Sequence, residues 1–372
     1  MADGSGGRGR RRFGGTLWLL ALVVVALVVV VVVGMPHHRS SAPVRSGGPL
    51  VVTSLPFFNL DNGTDATVNH KDTVNEASPW MYGIGERGGV ALQYPPDRAK
   101  DVQRNIDRLR DANVPLVPSL ANITDGKWTY QPVAHVLADP NLRHQHVEEI
   151  MNLVHRENYA GIDIDYENLK AVDRNNFSAF VAELGDRLHR EHKTLSVAVF
   201  AKDSEAGYDQ RNVAQDYAAI GRSADQVRLM AYDYHWGTSP PGPIAPIDWV
   251  RRVLDYARSQ IPPGRIVLGV PTSGYDWPEN GQGQPVNWLQ AFRLSRDHNA
   301  PPQYDAKSQS PWFEYRDQAG VKHTVWFENA ASAKAKFDAA VGARTRGVYL
   351  WMYGYEDSAL WDKLRQSLRP AG

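Results

Sequence analysis

From residue 49 onward, short β-rich runs alternate with stretches of helical periodicity, and this alternation constrains the fold more than any other feature of the chain. The runs are residues 50–58, 74–84, 114–122, 159–167, 194–201, 226–235, 265–275 and 346–354, eight in all. Helical patterns separate most of them. One occupies 97–112. In the next, Val147, Ile150, Met151 and Val154 recur at i, i+3, i+4 and i+7, and Phe177, Phe180, Val181, Leu184 and Leu188 follow the same rule. Such spacing gives a helix one apolar stripe. Further helical stretches cover 247–261, 331–343 and 357–368. Eight βα units over roughly 320 residues predict an α/β protein, a (β/α)8 TIM barrel. A doubly wound sheet is the competing arrangement. Residues 311–329 hold two aromatic-rich runs around DQAG, which predicts a β-hairpin in a small β-rich insertion, about 284–330, between strands seven and eight.

The N-terminal part differs. Residues 1–15 are rich in Gly and Arg, with Arg8, Arg10, Arg11 and Arg12 clustered, and read as a basic cytoplasmic tail. Leu17 to Met35 then runs without a charge. That length is close to the ~20 residues that span a bilayer as a helix. A secretory h-region is shorter and ends in a small-residue cleavage site, which the following GMPHHRSSAPV does not offer. The expectation is a transmembrane signal anchor over 16–35, a flexible linker over 36–48, and a barrel over 49–370 outside the cytoplasm at the cell membrane. Secretion after signal cleavage is the alternative.

Composition narrows the chemistry. Lys and Arg together number 41, as do Asp and Glu, so there is no electrostatic case for nucleic acid. With no cysteine in the chain, disulfides and thiolate chemistry are excluded. GIGERG at 83–88 matches a dinucleotide-binding glycine pattern, but Pro95-Pro96 follow and no helix can open there. It reads as a glycine-rich hairpin turn. Asn62, Asn122 and Asn176 match glycosylation sequons. His144 and His146 face different sides of a helix and are read as surface residues. No metal and no cofactor are expected, and the chain is expected to be a monomer.

The stretch YAGIDIDYENL, residues 159–169, carries the chemistry. On a strand, alternate side chains take opposite faces, with same-face residues about 6.6 Å apart. Asp163, Asp165 and Glu167 would then stack on one face, Asp163 deepest and Glu167 at the barrel mouth. Carboxylates this close do not all ionise, so Glu167 could hold a proton near neutral pH as a general acid. A divalent-metal site or a salt-bridged strand end would use the same residues. Other strand ends favour the acid: Met230, Tyr232 and Asp233 end strand six, and Trp351 and Tyr353 end strand eight. Indoles and acids together suit a sugar ring, with its apolar face and hydroxylated rim, better than a metal, which wants oxygen ligands.

These residues resemble glycoside hydrolase family 18, the chitinase family. Its signature, D-x-x-D-x-D-x-E at the end of strand four, is matched here from Asp163 to Glu167. Its M-x-Y-D on strand six is matched by Met230 to Asp233, and its strand-eight Trp by Trp351. The resemblance covers roughly residues 50–368, and the hairpin followed by GVYLWMYGYEDSALW looks most like the bacterial cell-wall and spore-cortex branch. One departure is that Ala160 stands where the signature has its first Asp, which puts the tuning of the Asp pair in question. The resemblance implies substrate-assisted retaining hydrolysis, in which the substrate's acetamido group is the nucleophile. It makes Glu167 the acid, Asp165 the partner of the acetamido N–H, and Asp163 a residue sharing a proton with Asp165. Tyr232 would bond the acetamido oxygen, Asp233 would contact the distorted sugar, and Trp351, with Met230 and Tyr353, would bind substrate. The implied partner is an N-acetylglucosamine-containing polysaccharide, with β-1,4 bonds of chitin or peptidoglycan type. A non-catalytic sugar-binding barrel and a metal-dependent hydrolase are the other readings.

Overall fold

A computed structural model describes residues 48–351 and 354–368. The segments expected to form the tail, the anchor and all but the last residue of the linker lie outside the described residues, as does Tyr353. Eight parallel strands close into a barrel: β1 (Leu50–Pro56), β2 (Glu76–Ile84), β3 (Ser119–Ala121), β4 (Gly161–Asp165), β5 (Thr194–Phe200), β6 (Gln226–Met230), β7 (Ile266–Pro271) and β8 (Gly347–Trp351). Closure is by β8, which pairs with β7 on one side and β1 on the other, while β1 also pairs with β2.

Around it lie α1 (Leu60–Asn69), α2 (Ala99–Asp111), α3 (Pro140–Arg156), α4 (Arg174–His189), α5 (Tyr217–Ser223), α6 (Ile247–Gln260), α7 (Ala330–Gly342) and α8 (Leu360–Leu368). The apolar face of β4, Ile162 and Ile164, packs into one continuous layer with Phe177, Phe180, Val250 and Phe337 of the helices. α1 left no periodic signal because its buried positions include Gly63, Thr64 and Thr67, which are small or polar. α5 is too short for a pattern to emerge.

Three sequence expectations are corrected. The 114–122 run yields only a three-residue strand, because Pro115 and Pro118 can accept but not donate ladder bonds. The 265–275 run divides at Thr272, whose N–H and hydroxyl both bond the Trp351 carbonyl. From Ser273 the chain enters an antiparallel five-stranded sheet, ordered 284–287, 273–278, 322–326, 310–316, 303–305. The insertion therefore begins at Ser273, ahead of the expected start at about 284, and it includes a helix, Trp288–Asp297. Its own small core joins Val286, Ala291, Phe313 and Val325. Third, His146 is not a surface residue. It is buried on α3, stacked on Phe180, with Nε2 2.6 Å from the Tyr166 hydroxyl. The glycine-rich segment is a turn as expected: it joins β2 to an antiparallel strand at 90–92, with Gly85 N–H on Gly89 O and Gly88 at φ 86°.

Candidate active site

The odd-numbered acids of β4 point into the barrel, where four strands supply their partners. At the bottom, Ser119 of β3 and Ser196 of β5 donate to Asp163 Oδ2 and Oδ1 at 2.7 and 2.6 Å. Arg228 of β6 completes the shell, with Nη1 3.2 Å from Asp163 Oδ2 and Nη2 2.6 Å from Glu76 Oε1 of β2. All three charged groups are buried. Buried charges need such pairing, because desolvation would otherwise cost several kcal/mol or more each.

Asp165 stands one step higher with fewer partners. The Trp80 indole N–H donates to its Oδ2 at 3.0 Å, while Oδ1 is buried and meets no protein donor. Burial, then the charge of Asp163, pushes its pKa up to about 7, against the pull of Trp80 and Arg228. With both oxygens of Asp163 taken by Ser119, Ser196 and Arg228, no Asp163–Asp165 hydrogen bond forms here.

Glu167 lies beyond the strand, since β4 ends at Asp165. It is half-buried. Burial and the neighbouring Asp165 raise its pKa well above the usual range for a glutamate, while Arg211 opposes and Asp233 adds to the rise. Its N–H donates to Asn122 Oδ1 at 2.8 Å. Asn122 is completely buried, so this sequon is occupied by an internal hydrogen-bonding role rather than offered to solvent.

The mouth is aromatic. The Trp351 ring lies parallel to Tyr232, 6.3 Å between centroids and 4° between planes, and meets Trp80 edge-on at 6.5 Å. Trp128, exposed, leans on Trp80. The Tyr232 hydroxyl is paired at 2.6 Å with that of Tyr349. Met230 is buried inside the barrel among Leu50, Val52, Val267 and Tyr349, at the foot of Tyr232 and Trp351 rather than on the open surface. Asp233 holds a left-handed φ of 54°, a conformation that Asp tolerates better than most residues. Its carboxyl is reachable by solvent yet hemmed in by protein, and desolvation pushes its pKa up to about 6 against a hydrogen bond from Tyr275.

Of the sequence-derived candidates, Asp163, Asp165, Glu167, Tyr232, Asp233 and Trp351 come together at the C-terminal end of the barrel. Ala160 does not join them. It stands just before β4, at the opposite end of the strand from Glu167, where its N–H bonds Leu116 O and its carbonyl accepts from Thr194 N–H. Sequence reading missed Trp80, Asn122, Gln215, Tyr349 and Arg228. Trp80 and Tyr349 lie inside the strand runs 74–84 and 346–354, where sequence alone gives a single aromatic no functional mark, and the others are single polar residues on separate elements.

A closed barrel with stacked carboxyls, raised acids at Asp165, Glu167 and Asp233, and an indole at the strand C-termini is the architecture of a glycoside hydrolase. The chain belongs to the glycosyl hydrolases family 18, whose model matches residues 54–356. It is 30% identical over 310 residues to the cortical fragment-lytic enzyme of Bacillus subtilis (strain 168), covering 80% of this chain and 70% of that one. Among solved structures, it is similar to a chitinase from Chromobacterium violaceum ATCC 12472, with a TM-score of 0.78, 30% identity, and coverage of 86% of this chain and 98% of that one. It is also similar to the Bacillus cereus spore cortex-lytic enzyme SleL, with a TM-score of 0.78, 26% identity, and coverage of 86% and 74%.

Proposed function

We propose that the enzyme hydrolyses β-1,4 bonds that follow N-acetylglucosamine, in peptidoglycan-type or chitin-type glycans, by substrate-assisted retaining catalysis. The orphaned acceptor on Asp165 carries the reading: Oδ2 is fixed by Trp80 and Oδ1 meets no protein donor. A buried acceptor left without a donor is costly, and an acetamido N–H would satisfy it. In that position Asp165 orients the acetamido oxygen toward the anomeric carbon and offsets the positive charge of the oxazolinium. Glu167, with its raised pKa, protonates the leaving glycosidic oxygen and later deprotonates the attacking water. Tyr232 gives its hydroxyl to the acetamido oxygen, Asp233 contacts the distorted ring, and Trp351 floors the subsite. Likeness to cortex-lytic relatives favours the cell's own envelope as substrate. The uncharged segment ahead of the barrel would hold the enzyme at the outer face of the cell membrane; fractionation of cells carrying the full chain and the chain from residue 36 tests this.

Glu167→Gln is the deciding variant, assayed on N-acetylglucosamine oligomers and purified peptidoglycan. General acid catalysis contributes about 10²–10⁴-fold, and a loss of that order is expected. Equal cleavage by wild type and variant refutes the mechanism, and binding without cleavage by either points to a sugar-binding barrel.

A further inference from the structure

We infer that Asn122 and Gln215 are positioning residues that clamp the single peptide unit joining Tyr166 to Glu167, and so fix the acid against the glycosidic oxygen. This rests on the reading of Glu167 as proton donor. The β4 ladder ends at Ala121↔Asp165 on one side and Ile164↔Val197 on the other. Past that point a backbone N–H and C=O need partners that the diverging neighbours no longer supply. Two side-chain amides supply them. Glu167 N–H donates to Asn122 Oδ1 at 2.8 Å, and Gln215 Nε2 donates to Tyr166 O at 3.2 Å. Both ends of one peptide plane are thus held, from opposite sides.

Each amide is itself fixed at its other end. Asn122 Nδ2 donates to Thr129 O at 2.8 Å, and Gln215 Oε1 accepts from Phe200 N–H at 2.7 Å. The two side chains act as spacers in the ladder, one between the ends of β3 and β4, the other between those of β4 and β5. Both residues are 0% exposed. A buried amide with donor and acceptor both engaged has one orientation only, and burying it is costly unless those bonds are made. A third anchor holds the same segment through its ring, where His146 bonds the Tyr166 hydroxyl. What results is a rigid seat for Glu167 beyond the last strand residue, where an unsupported loop would let the acid drift.

Leaving-group dependence separates positioning of an acid from general loosening. A sugar leaving group needs the proton from Glu167, whereas 4-nitrophenol departs with little help. Asn122→Leu and Gln215→Leu are compared with wild type on an N-acetylglucosamine tetramer and on the 4-nitrophenyl glycoside of the dimer. Misplacing a catalytic group by about 1 Å costs about a hundred-fold. The clamp therefore predicts a fall in kcat of that order on the tetramer, at most a few-fold on the nitrophenyl glycoside, and unchanged KM on both. Asn122→Asp, which keeps an acceptor for the Glu167 N–H, restores most of the tetramer rate. Equal losses on both substrates, or losses confined to KM, overturn the clamp, and if the leucine variants do not fold, Gln215→Glu, which keeps the acceptor for Phe200 N–H but loses the donor to Tyr166 O, carries the same comparison. Glu167→Gln is run alongside. If it too lacks leaving-group discrimination, the assignment of Glu167 has failed; if it discriminates while the clamp variants do not, only the clamp has. A wild type that cleaves neither probe overturns the underlying reading and the proposal with it.

Discussion

His146 makes a testable contribution to acid stability. It is buried on α3, stacked on Phe180 and bonded to the Tyr166 hydroxyl. Desolvation holds its pKa down at about 4, from an ordinary 6.5. In the unfolded chain the ring takes up its proton near pH 6.5; in the folded protein it resists until about pH 4. Between those values only the unfolded state gains the proton, so stability is full above the window and declines as pH falls through it. The gap is about two and a half pH units at about 1.4 kcal/mol each, or about 3 kcal/mol by the bottom of the window. The raised carboxyls Asp165 and Glu167 work in the opposite sense, so the wild-type curve alone mixes signs. The informative quantity is the difference between wild type and His146→Gln, whose amide can still bond Tyr166 but does not titrate. Urea unfolding at pH 7.5 and pH 4.5 should show wild type losing about 2.5 kcal/mol relative to the variant. A difference that is the same at both pH values would falsify the view that this ring stays neutral inside the fold.

Other perturbations read the site itself. Trp80→Phe removes the indole donor that favours ionised Asp165; a charge-assisted hydrogen bond is worth about 1.5–3 kcal/mol, so the acid limb of kcat/KM should move up by about one to two pH units. An unmoved limb would mean that Asp165 need not be ionised to receive substrate. Arg228→Gln strands Glu76 and Asp163 in the barrel floor, and urea unfolding should reveal a loss of about 3–5 kcal/mol. Trp351→Ala removes the ring stacked on Tyr232, and oligosaccharide KM should rise by roughly ten-fold, the equivalent of about 1.4 kcal/mol.

The barrel was legible because strands such as β1, β5 and β8 carry β-branched and aromatic residues and the larger helices bury periodic apolar stripes. Where burial is polar or small the signal vanished, as in α1, or misled, as in His146, whose charge-capable ring looked like a surface group. Asp163 and Asp165 both face the barrel interior, yet the strand stops at Asp165, two residues short of Glu167. Composition cannot show that, because the change is in who satisfies the backbone. The same limit explains Asn122: an Asn-Ile-Thr triplet is indistinguishable in sequence whether its amide faces solvent or a neighbouring peptide.

The stacking of three acids on one strand makes sense once their donors are compared. Asp163 has two hydroxyls and a guanidinium, Asp165 one indole N–H, and Glu167 a fixed backbone with its carboxyl at the mouth. Compensation thins toward the cleft while each carboxyl stays at least half-buried, so each adds its field to one less able to bear it. Asp163 raises Asp165, and Asp165 raises Glu167. Like-charge repulsion, which on a free strand would be a defect, here passes upward to Glu167, the group from which the proposed mechanism sends a proton to the substrate. Arg228 is what makes this tolerable, because it is shared between Asp163 and Glu76 and sets a guanidinium against both carboxyls. The donors come from β2, β3, β5 and β6, so the gradient belongs to the closed barrel, and no reading of β4 alone could contain it.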